Sequence, residues 1–448
     1  MNYTKIPRIF YYLYFWTHYF KFRHSQPFEG DAANMDFKEV MYWCFKFFVK
    51  YIEKAERGKG IESFFENQDF SFAYSDGFVE KTSFTIATGG DILPTEYLSL
   101  DNSSRLWDDV KEFYYDADLV MANLESPIAD AAPISYASKG AAGAPHLNNT
   151  PDIFERLVDG GKGINFFSTA NNHTLDQGEE GLISTLNFLD SKGYPHVGSA
   201  RSSEERDRPV IIERNGIKIA FLSWTFSLNR SIIPEGKDYL VNHLRLNHPG
   251  IDLSRIQRQV KEAKAAGADA VVACLHWSLE YESYPTEHLI KTGHRLIESG
   301  IDAIIGNHAH TVHPMECYHY KDKVTGEDKK GLILYALGDL ISVNHPGFNS
   351  KLGNLARIRF SKGEADGKPS VRITSLDIMP IYIYQEMKGD SCSDFRILRL
   401  NKLAEDLHSG RKTFNLPEKE AHEIERLEKL ARKLLGPAIG RKIQSTPM

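Results

Sequence analysis

Five short segments of the sequence carry residue types that bind metal ions. They are Gly90-Asp91, Asn123-Leu124-Glu125, Asn171-Asn172-His173, His276-Trp277 and Gly306-Asn307-His308-Ala309-His310. Each follows an apolar run that predicts a buried strand, and open α/β sheets bind ligands at the carboxyl ends of their strands. Because alternate residues of an extended chain point to the same side, His308 and His310 can face one centre. The segments together predict a metal site at a sheet edge.

The chemistry that such a set can perform is phosphoester hydrolysis. A mixture of carboxylate, imidazole and amide oxygen suits Mn, Fe or Zn better than Ca or Mg. Two cations neutralise the phosphate oxygens and activate water, while a nearby histidine assists the leaving group. Each segment alone also has an ordinary explanation as a turn, a cap or a solvated histidine. The hypothesis therefore depends on the whole set lying together.

The elements expected to position these residues alternate between short strands and amphipathic helices from residue 83 onward, which indicates α/β layering. A helix after Thr150-Pro151 follows the preferred order of cap and proline. Asn215-Gly216 between two β-rich runs predicts a hairpin. Helical periodicity predicts further helices over 104–117, 179–193, 253–268 and 286–300. The metal-binding types thus lie in loops that a layered fold would gather.

We divide the chain into four parts. Residues 1–80 are predicted to be an aromatic-rich helical extension, 81–345 the catalytic domain, 346–390 additional strands that complete a sheet, and 391–448 a helical tail. The aromatic runs of the first part have two interpretations. They form helices that pack onto the main domain, or an interfacial helix with Lys46 and Lys50 at a membrane surface.

The composition limits which partners and which cellular compartment are expected. With 54 Lys and Arg against 60 Asp and Glu, the formal net charge of -6 argues against nucleic acid as a partner. The four cysteines form no CxxC pair, which favours a reducing, cytoplasmic location. The apolar run at 9–20 lacks a cleavage site and is shorter than the ~20 residues of a spanning helix. We expect a cytoplasmic protein, with peripheral contact at the inner face of the membrane through residues 1–51 as the alternative.

The order of the five segments resembles that of the calcineurin-like metallophosphoesterases. A closer resemblance, to the CapA or poly-γ-glutamate capsule family, covers about residues 83–345. It is carried by ANLESP (122–127), STANNHTLDQGEEGLISTLNFL (168–189), HWSLEYESYPTEH (276–288), GIDAIIGNHAH (300–310) and LYALGDLIS (334–342). The resemblance implies a four-layer α/β/β/α sandwich of two mixed β-sheets, with two divalent metal ions (Mn, Fe or Zn) at its loop-rich edge.

The resemblance also implies roles for single residues. The implied metal ligands are Asp91 and His310 on the first ion, Glu125 between the ions, and Asn172, His276 and His308 on the second. His173 matches the catalytic histidine. Asp176, three residues later, either orients that ring or caps the next helix. Trp277 and Glu280 are expected to bind substrate, or Glu280 holds a ligand histidine. The alternative is a buried tryptophan and a glutamate that caps a helix.

Three positions depart from the family pattern. Leu93 stands where the wider superfamily has a histidine, and CapA-like proteins generally lack that histidine too. The site of Asp91 and His310 is therefore expected to bind its ion weakly. The bridging acid is Glu125 rather than an aspartate. Asp339 stands where relatives commonly have asparagine, and it would add negative charge if it approached the centre.

The resemblance implies a metal-dependent, phosphoesterase-like hydrolase of capsule, poly-γ-glutamate or cell-envelope polymer metabolism. Its substrate would be a small molecule or polymer that carries a phosphate or related ester. The alternative is a non-catalytic metal-binding component of a capsule polymer assembly machine. The missing histidine at position 93 weakens the hydrolase, and the absence of an obvious anchor in the sequence weakens the assembly machine.

Overall fold

The computed structural model describes most of the chain. The described residues are 9–11, 13, 30–72, 74, 76–136, 146–322, 326–342, 347–411 and 414–439. The strands are β1 (Val79–Ile92), β2 (Leu119–Leu124), β3 (Phe166–Ser168), β4 (His196–Val197), β5 (Val210–Arg214), β6 (Ile217–Thr225), β7 (Ala270–His276), β8 (Ala303–Asn307), β9 (Met315–Lys321), β10 (Asp328–Leu334), β11 (Asp339–Ile341), β12 (Leu352–Ala365), β13 (Lys368–Lys388) and β14 (Ser391–Arg399). The α-helices are α1 (Phe37–Phe48), α2 (Ile61–Glu66), α3 (Lys111–Tyr114), α4 (Pro151–Val158), α5 (Gly178–Ser191), α6 (Ser203–Asp207), α7 (Ser254–Ala265), α8 (Glu287–Glu298), α9 (Leu400–His408) and α10 (Glu418–Ile439).

These strands form two mixed sheets. The eight-stranded sheet has the order β14-β13-β12-β1-β2-β3-β4, with β11 also paired to β1. Its strands β1 to β4 are parallel, and β12, β13 and β14 follow on the other side of β1, each antiparallel to the strand before it. The six-stranded sheet has the order β5-β6-β7-β8-β10-β9, parallel from β6 to β10 with an antiparallel strand at each edge. The parallel strands of each sheet therefore end at one edge.

The sheets pack face to face and carry helices outside. Phe166 of β3 and Phe221 of β6 meet across the interior with ring centroids 4.5 Å apart. On the outer face of the first sheet, Phe154 of α4 packs against Phe167 of β3, at 5.1 Å. Helices α7 and α8 bury their apolar faces in the cluster that contains β7 and β8. This arrangement confirms the predicted α/β/β/α sandwich of two mixed sheets.

Two predicted boundaries were wrong for a shared reason. Only Lys111–Tyr114 of the predicted helix 104–117 is α-helical, because the preceding residues close i to i+3 turns such as that from Leu106 to Ser103. Residues 391–399, predicted to be helical, form edge strand β14 instead. The amides of Phe395 and Ile397 donate to carbonyls of Asn102 and Leu106. The turns therefore cover the free edge of the sheet, which no local pattern indicates.

The N-terminal segment packs onto the main domain through α1. Asp36 caps this helix in a capping box with Glu39. Lys46, which the interfacial interpretation places at a membrane surface, is buried with its ammonium 2.8 Å from Glu282. Most of the apolar run 9–20 lies outside the described residues. No helix in the described ranges combines the length and apolarity that a bilayer crossing needs.

Candidate metal centre

The five predicted segments converge where the parallel strands of both sheets end. In the first sheet Asp91 is near the end of β1, Glu125 directly follows β2, and Asn172 and His173 follow β3. In the second sheet His276 is the last residue of β7, and His308 and His310 follow β8. All these side chains are buried. The face-to-face packing therefore brings together residues that are 219 positions apart in the sequence, from 91 to 310.

One side of the centre is rich in histidine, and we call Glu125, Asn172, His276 and His308 the histidine side. The Nε2 atom of His276 lies 2.9 Å from Asn172 Oδ1, 3.4 Å from Glu125 Oε1 and 3.1 Å from His308 Nδ1. Ligand atoms of Glu125, His276 and His308 all lie within 4.8 Å of one another. The four residues that the resemblance assigned to the second ion and the bridge are thus neighbours.

Buried atoms on this side lack partners. Neither carboxylate oxygen of Glu125 has a hydrogen-bond partner among the described residues, and the same is true of His308 Nε2. Glu125 is 0% exposed, and a buried carboxylate without a partner is strongly unfavourable. A divalent cation would satisfy both residues, since oxygen and imidazole nitrogen are ligands of Mn, Fe and Zn. The residues present therefore fit a metal ion.

The opposite side carries three carboxylates, and we call Asp91, Glu280, His310 and Asp339 the acidic side. His310 lies between two of them, with Nδ1 2.8 Å from Asp339 Oδ1 and Nε2 3.7 Å from Glu280 Oε1. Two overlapping sets on this side place ligand atoms within 4.8 Å: Asp91 with His310 and Asp339, and Glu280 with His308 and His310. Leu93 packs against Leu147 and offers no ligand atom.

The pKa values of the centre follow from burial and crowded charge. Burial raises the pKa of Glu125 well above its usual range, and the neighbouring Asp91 and Asp339 raise it further. Burial also raises the pKa of Asp91 to about 6. For His276 and His308 burial lowers the pKa well below the usual value, which leaves neutral rings able to ligate metal. Positive charge would therefore stabilise the ionised carboxylates.

His310 differs from the other two histidines. Burial lowers its pKa, but the Asp339, Glu280 and Asp91 carboxylates outweigh burial and raise the pKa to about 9. In the metal-free protein a proton on this ring therefore supplies part of the positive charge that the acidic side needs. A cation that binds here has to displace that proton.

His173 and Asp176 form a pair beside the histidine side. His173 Nδ1 lies 2.6 Å from Asp176 Oδ2, and the same oxygen accepts a 2.6 Å hydrogen bond from the amide of Leu147. Helix α5 begins after Gln177, so Asp176 is not its N-cap. His173 directly follows Asn172 of the histidine side in the sequence. Asp176 thus orients the ring of His173.

Trp277 and Glu280, the predicted substrate-binding residues, have different positions. Trp277 is 0% exposed, donates its indole N–H to the Tyr335 carbonyl at 3.0 Å and stacks on the Tyr335 ring. Trp277 therefore packs in the core, next to the loop that carries Glu280. The Glu280 side chain is 17% exposed and faces His310.

Some residues around the centre were not predicted. Asn123, which lies inside a predicted segment but received no role, donates to Asp91 Oδ1 at 2.8 Å and lies 3.3 Å from His276 Nδ1. Its position in the Asn123-Leu124-Glu125 segment was the sequence signal that could have indicated these contacts. Trp43 of α1 donates its indole N–H to Glu280 Oε2 across 237 positions of sequence. No local pattern could have indicated that contact.

Comparison with known proteins extends these findings. The family model of the bacterial capsule synthesis protein PGA_cap matches residues 85–344. The capsule biosynthesis protein CapA of Bacillus anthracis is 24% identical over 268 residues, covering 58% of this chain and 60% of that protein. The PGA biosynthesis protein CapA of Bacillus subtilis is 26% identical over 262 residues, covering 56% and 61%.

A probable polyglutamine synthesis accessory protein of Mycobacterium tuberculosis is also similar, with 24% identity over 281 residues, 59% of this chain and 66% of that protein. The chain thus spans 60% to 66% of the length of these curated relatives. The matched range of the family model contains all five segments and every residue of the histidine and acidic sides. The chain therefore belongs to the bacterial capsule synthesis protein PGA_cap family, within the metallophosphoesterase-like superfamily.

Proposed function

We propose that this protein is a metal-dependent, phosphoesterase-like hydrolase that acts in the metabolism of poly-γ-glutamate or another capsule polymer. The observation that carries the proposal is the buried carboxylate of Glu125, which accepts no hydrogen bond from any described residue and lies against two histidines. The capsule context comes from the relatives, two of which are named for capsule or PGA biosynthesis. The substrate class is a small molecule or polymer with a phosphate or related ester.

The residues of the chain divide the chemistry between them. Glu125, Asn172, His276 and His308 would hold one cation, and Asp91 and His310 another, with Glu125 shared. When bound, two such ions supply positive charge for the phosphate oxygens and an activated water. His173 would donate a proton to the leaving oxygen from Nε2, since Asp176 accepts the hydrogen bond from its Nδ1.

A second candidate function is a non-catalytic metal-binding component of a capsule polymer assembly machine. Two observations favour it. Leu93 removes a ligand that the wider superfamily supplies, and the Mycobacterium tuberculosis relative is named as an accessory protein. The two functions predict the same ions but differ in turnover.

Metal analysis paired with hydrolysis of p-nitrophenyl phosphate mono- and diesters tests the proposal. We expect two ions per chain after reconstitution with Mn, Zn or Fe, and metal-dependent turnover. His173→Ala should abolish turnover and keep the metal content, because this ring protonates the leaving group and ligates no ion. His308→Ala should lower both.

A matched control is His422→Ala, since His422 lies on α10 with its side chain 73% exposed and far from any predicted ligand in sequence. This variant should keep both metal content and turnover. Full metal content without turnover on either ester class would overturn the hydrolase and support the assembly component. A wild-type protein without bound metal would contradict both functions.

A further inference from the structure

The acidic side has one ligand fewer than the wider superfamily, because Leu93 cannot bind metal. The loop that carries Glu280 approaches this side from the second sheet. The amide of Tyr281 donates to the Ala309 carbonyl at 2.8 Å, which ties the loop to the His-x-His segment. The loop therefore holds the Glu280 carboxylate beside His310, on the side of the centre that lacks a ligand at position 93.

We propose that Glu280 replaces the missing ligand and binds the ion on the acidic side, while Asp339 orients His310. This assignment rests on the proposed metal centre and deepens it. It gives Glu280 a role as a metal ligand in place of substrate binding, and it gives Asp339 a positioning role.

The two ring nitrogens of His310 face different carboxylates, and this separates the roles. The 2.8 Å between His310 Nδ1 and Asp339 Oδ1 is the length of a hydrogen bond. The 3.7 Å between His310 Nε2 and Glu280 Oε1 is too long for one. It suits two atoms that each lie about 2 Å from a shared ion. Since a ligating histidine usually donates its other ring N–H to a carboxylate, Asp339 is the orienting group.

The backbone around Glu280 and His310 is held in an uncommon conformation. Ser278, Tyr281, His308 and His310 have φ angles of 85°, 64°, 91° and 51°. Non-glycine residues adopt such angles at a cost of about 1–3 kcal/mol each, and they cluster where a site needs exact placement. The four residues belong to the two loops that present Glu280 and the His-x-His pair. The strain supports a ligand role for residues on both loops.

Contacts from outside the loop fix the direction of the Glu280 carboxylate. The indole N–H of Trp43 donates to Oε2, so that Oε1 is left facing His310. His308 contributes to the same group, with a ligand atom within 4.8 Å of those of Glu280 and His310. Its Nε2 has no hydrogen-bond partner among the described residues. Glu280 therefore completes a set of three potential ligands that includes a histidine of the histidine side.

The test measures metal binding directly and needs no turnover. Wild-type protein, Glu280→Gln and Asp339→Asn are stripped of metal, then titrated with Mn²⁺ or Zn²⁺ by calorimetry, and bound ions are counted by elemental analysis. We expect two ions for the wild type and one for Glu280→Gln. Asp339→Asn should keep two ions, because asparagine oxygen can still accept the hydrogen bond from His310 Nδ1.

Each other outcome has a definite meaning. Two ions with unchanged affinity in Glu280→Gln would overturn the proposal, as would the loss of an ion in Asp339→Asn. Glu280→Asp separates a lost ligand from a lost fold, since it keeps the charge and retracts it by one methylene, so its affinity should fall between those of wild type and Glu280→Gln. Circular dichroism melts of every variant show whether the fold is intact.

Failure of this assignment is distinguishable from failure of the proposed function. A wild type that binds two ions without hydrolysing any ester would reject the hydrolase and leave the Glu280 assignment standing. A wild type that hydrolyses esters with unchanged metal binding in Glu280→Gln would do the reverse. A wild type that binds fewer than two ions overturns the assignment.

Discussion

The histidine side and the acidic side of the centre are assembled in different ways. On the histidine side every residue ends or closely follows a core strand: Glu125 after β2, Asn172 after β3, His276 and His308 at β7 and β8. The acidic side takes Asp91 and His310 from such ends, and Asp339 from the start of β11, which pairs with β1. Glu280 comes from a strained loop, and α1 reaches that loop from the N-terminal segment. Strand ends thus supply the histidine side, whereas the acidic side also depends on a contact from the distant α1.

The two sides also balance charge differently. The histidine side has one carboxylate and two imidazoles whose pKa values are lowered by burial. The acidic side has three carboxylates around His310, whose pKa is raised to about 9. One side can receive a cation without losing a proton from its rings, and the other exchanges a proton for a cation. The two sides should therefore respond differently to mutation and to pH.

The largest expected effect is the loss of both ions in Glu125→Gln, because Glu125 is the carboxylate proposed to bind both ions. Elemental analysis should find no bound metal at micromolar supply. The metal-free variant should also melt at a higher temperature than the metal-free wild type at pH 7, since the variant removes a buried carboxylate with a raised pKa. Retention of both ions would show that the sides do not share this group.

Lys46→Met should destabilise the fold by about 3 kcal/mol, because it leaves the buried Glu282 without its cation. Urea unfolding measures the difference. The double variant Lys46→Met with Glu282→Gln should recover most of the loss, since no buried charge remains unpaired. Metal on the histidine side should be unaffected. A loss below about 1 kcal/mol in the single variant would show that α1 is not docked through this pair.

Removal of metal should destabilise the protein more as pH rises from 6 to 9. In the folded metal-free protein the pKa of Asp91 is raised from 3.8 to about 6 and that of His310 from 6.5 to about 9. A group with a raised folded pKa stabilises the fold below its unfolded pKa, and that contribution is lost as pH passes through the folded value.

The Asp91 contribution is lost between about pH 4 and 6, so between pH 6 and 9 metal-free stability should fall through His310, by at most about 1.4 kcal/mol per pH unit. Bound cations replace the protons and remove this dependence. Melting temperatures with metal and with a chelator across this range measure the difference. Parallel curves for the two forms would contradict the proton exchange on the acidic side.

Trp43→Phe should have the smallest effect. The phenyl ring can keep the stacking on Phe47, where the indole centroid lies 5.1 Å away, but it cannot donate to Glu280. We expect the affinity for the acidic-side ion to fall by about tenfold, the low end for groups that hold a ligand. Calorimetric titration of the metal-free protein would detect this change. An equal loss of affinity at both ion sites would show that Trp43 does not act on the acidic side alone.

The sequence predicted the histidine side better than the acidic side for a physical reason. Polar residues after apolar runs mark strand ends, and parallel strands of packed sheets present those ends together. The direction of Glu280 depends on a strained loop and on Trp43, 237 positions away, and no periodicity encodes either. Trp277 was assigned to substrate binding because its neighbours are site residues, and the contact of its indole N–H with Tyr335 inside the core is not visible in the sequence.

Elements of the fold that follow local sequence signals were predicted, and those that depend on distant contacts were not. The helices from Pro151 and Glu287 and the hairpin at Asn215-Gly216 follow local signals of cap, proline and turn, and the structure has all three. The segment 104–110 has helical periodicity yet forms turns that cover β14. Such edge contacts join residues almost 300 positions apart, so the competing tertiary interaction is invisible to a local pattern.

Burial of the centre has a consequence for the timing of metal exchange. The seven side chains Asp91, Glu125, Asn172, His276, His308, His310 and Asp339 are each at most 3% exposed. An ion can then leave only when the surrounding structure opens, so its residence time is set by the rate of opening as well as by affinity. A chelator applied briefly would report that rate. The ion found in the purified protein would record which metal was available when the chain closed around it.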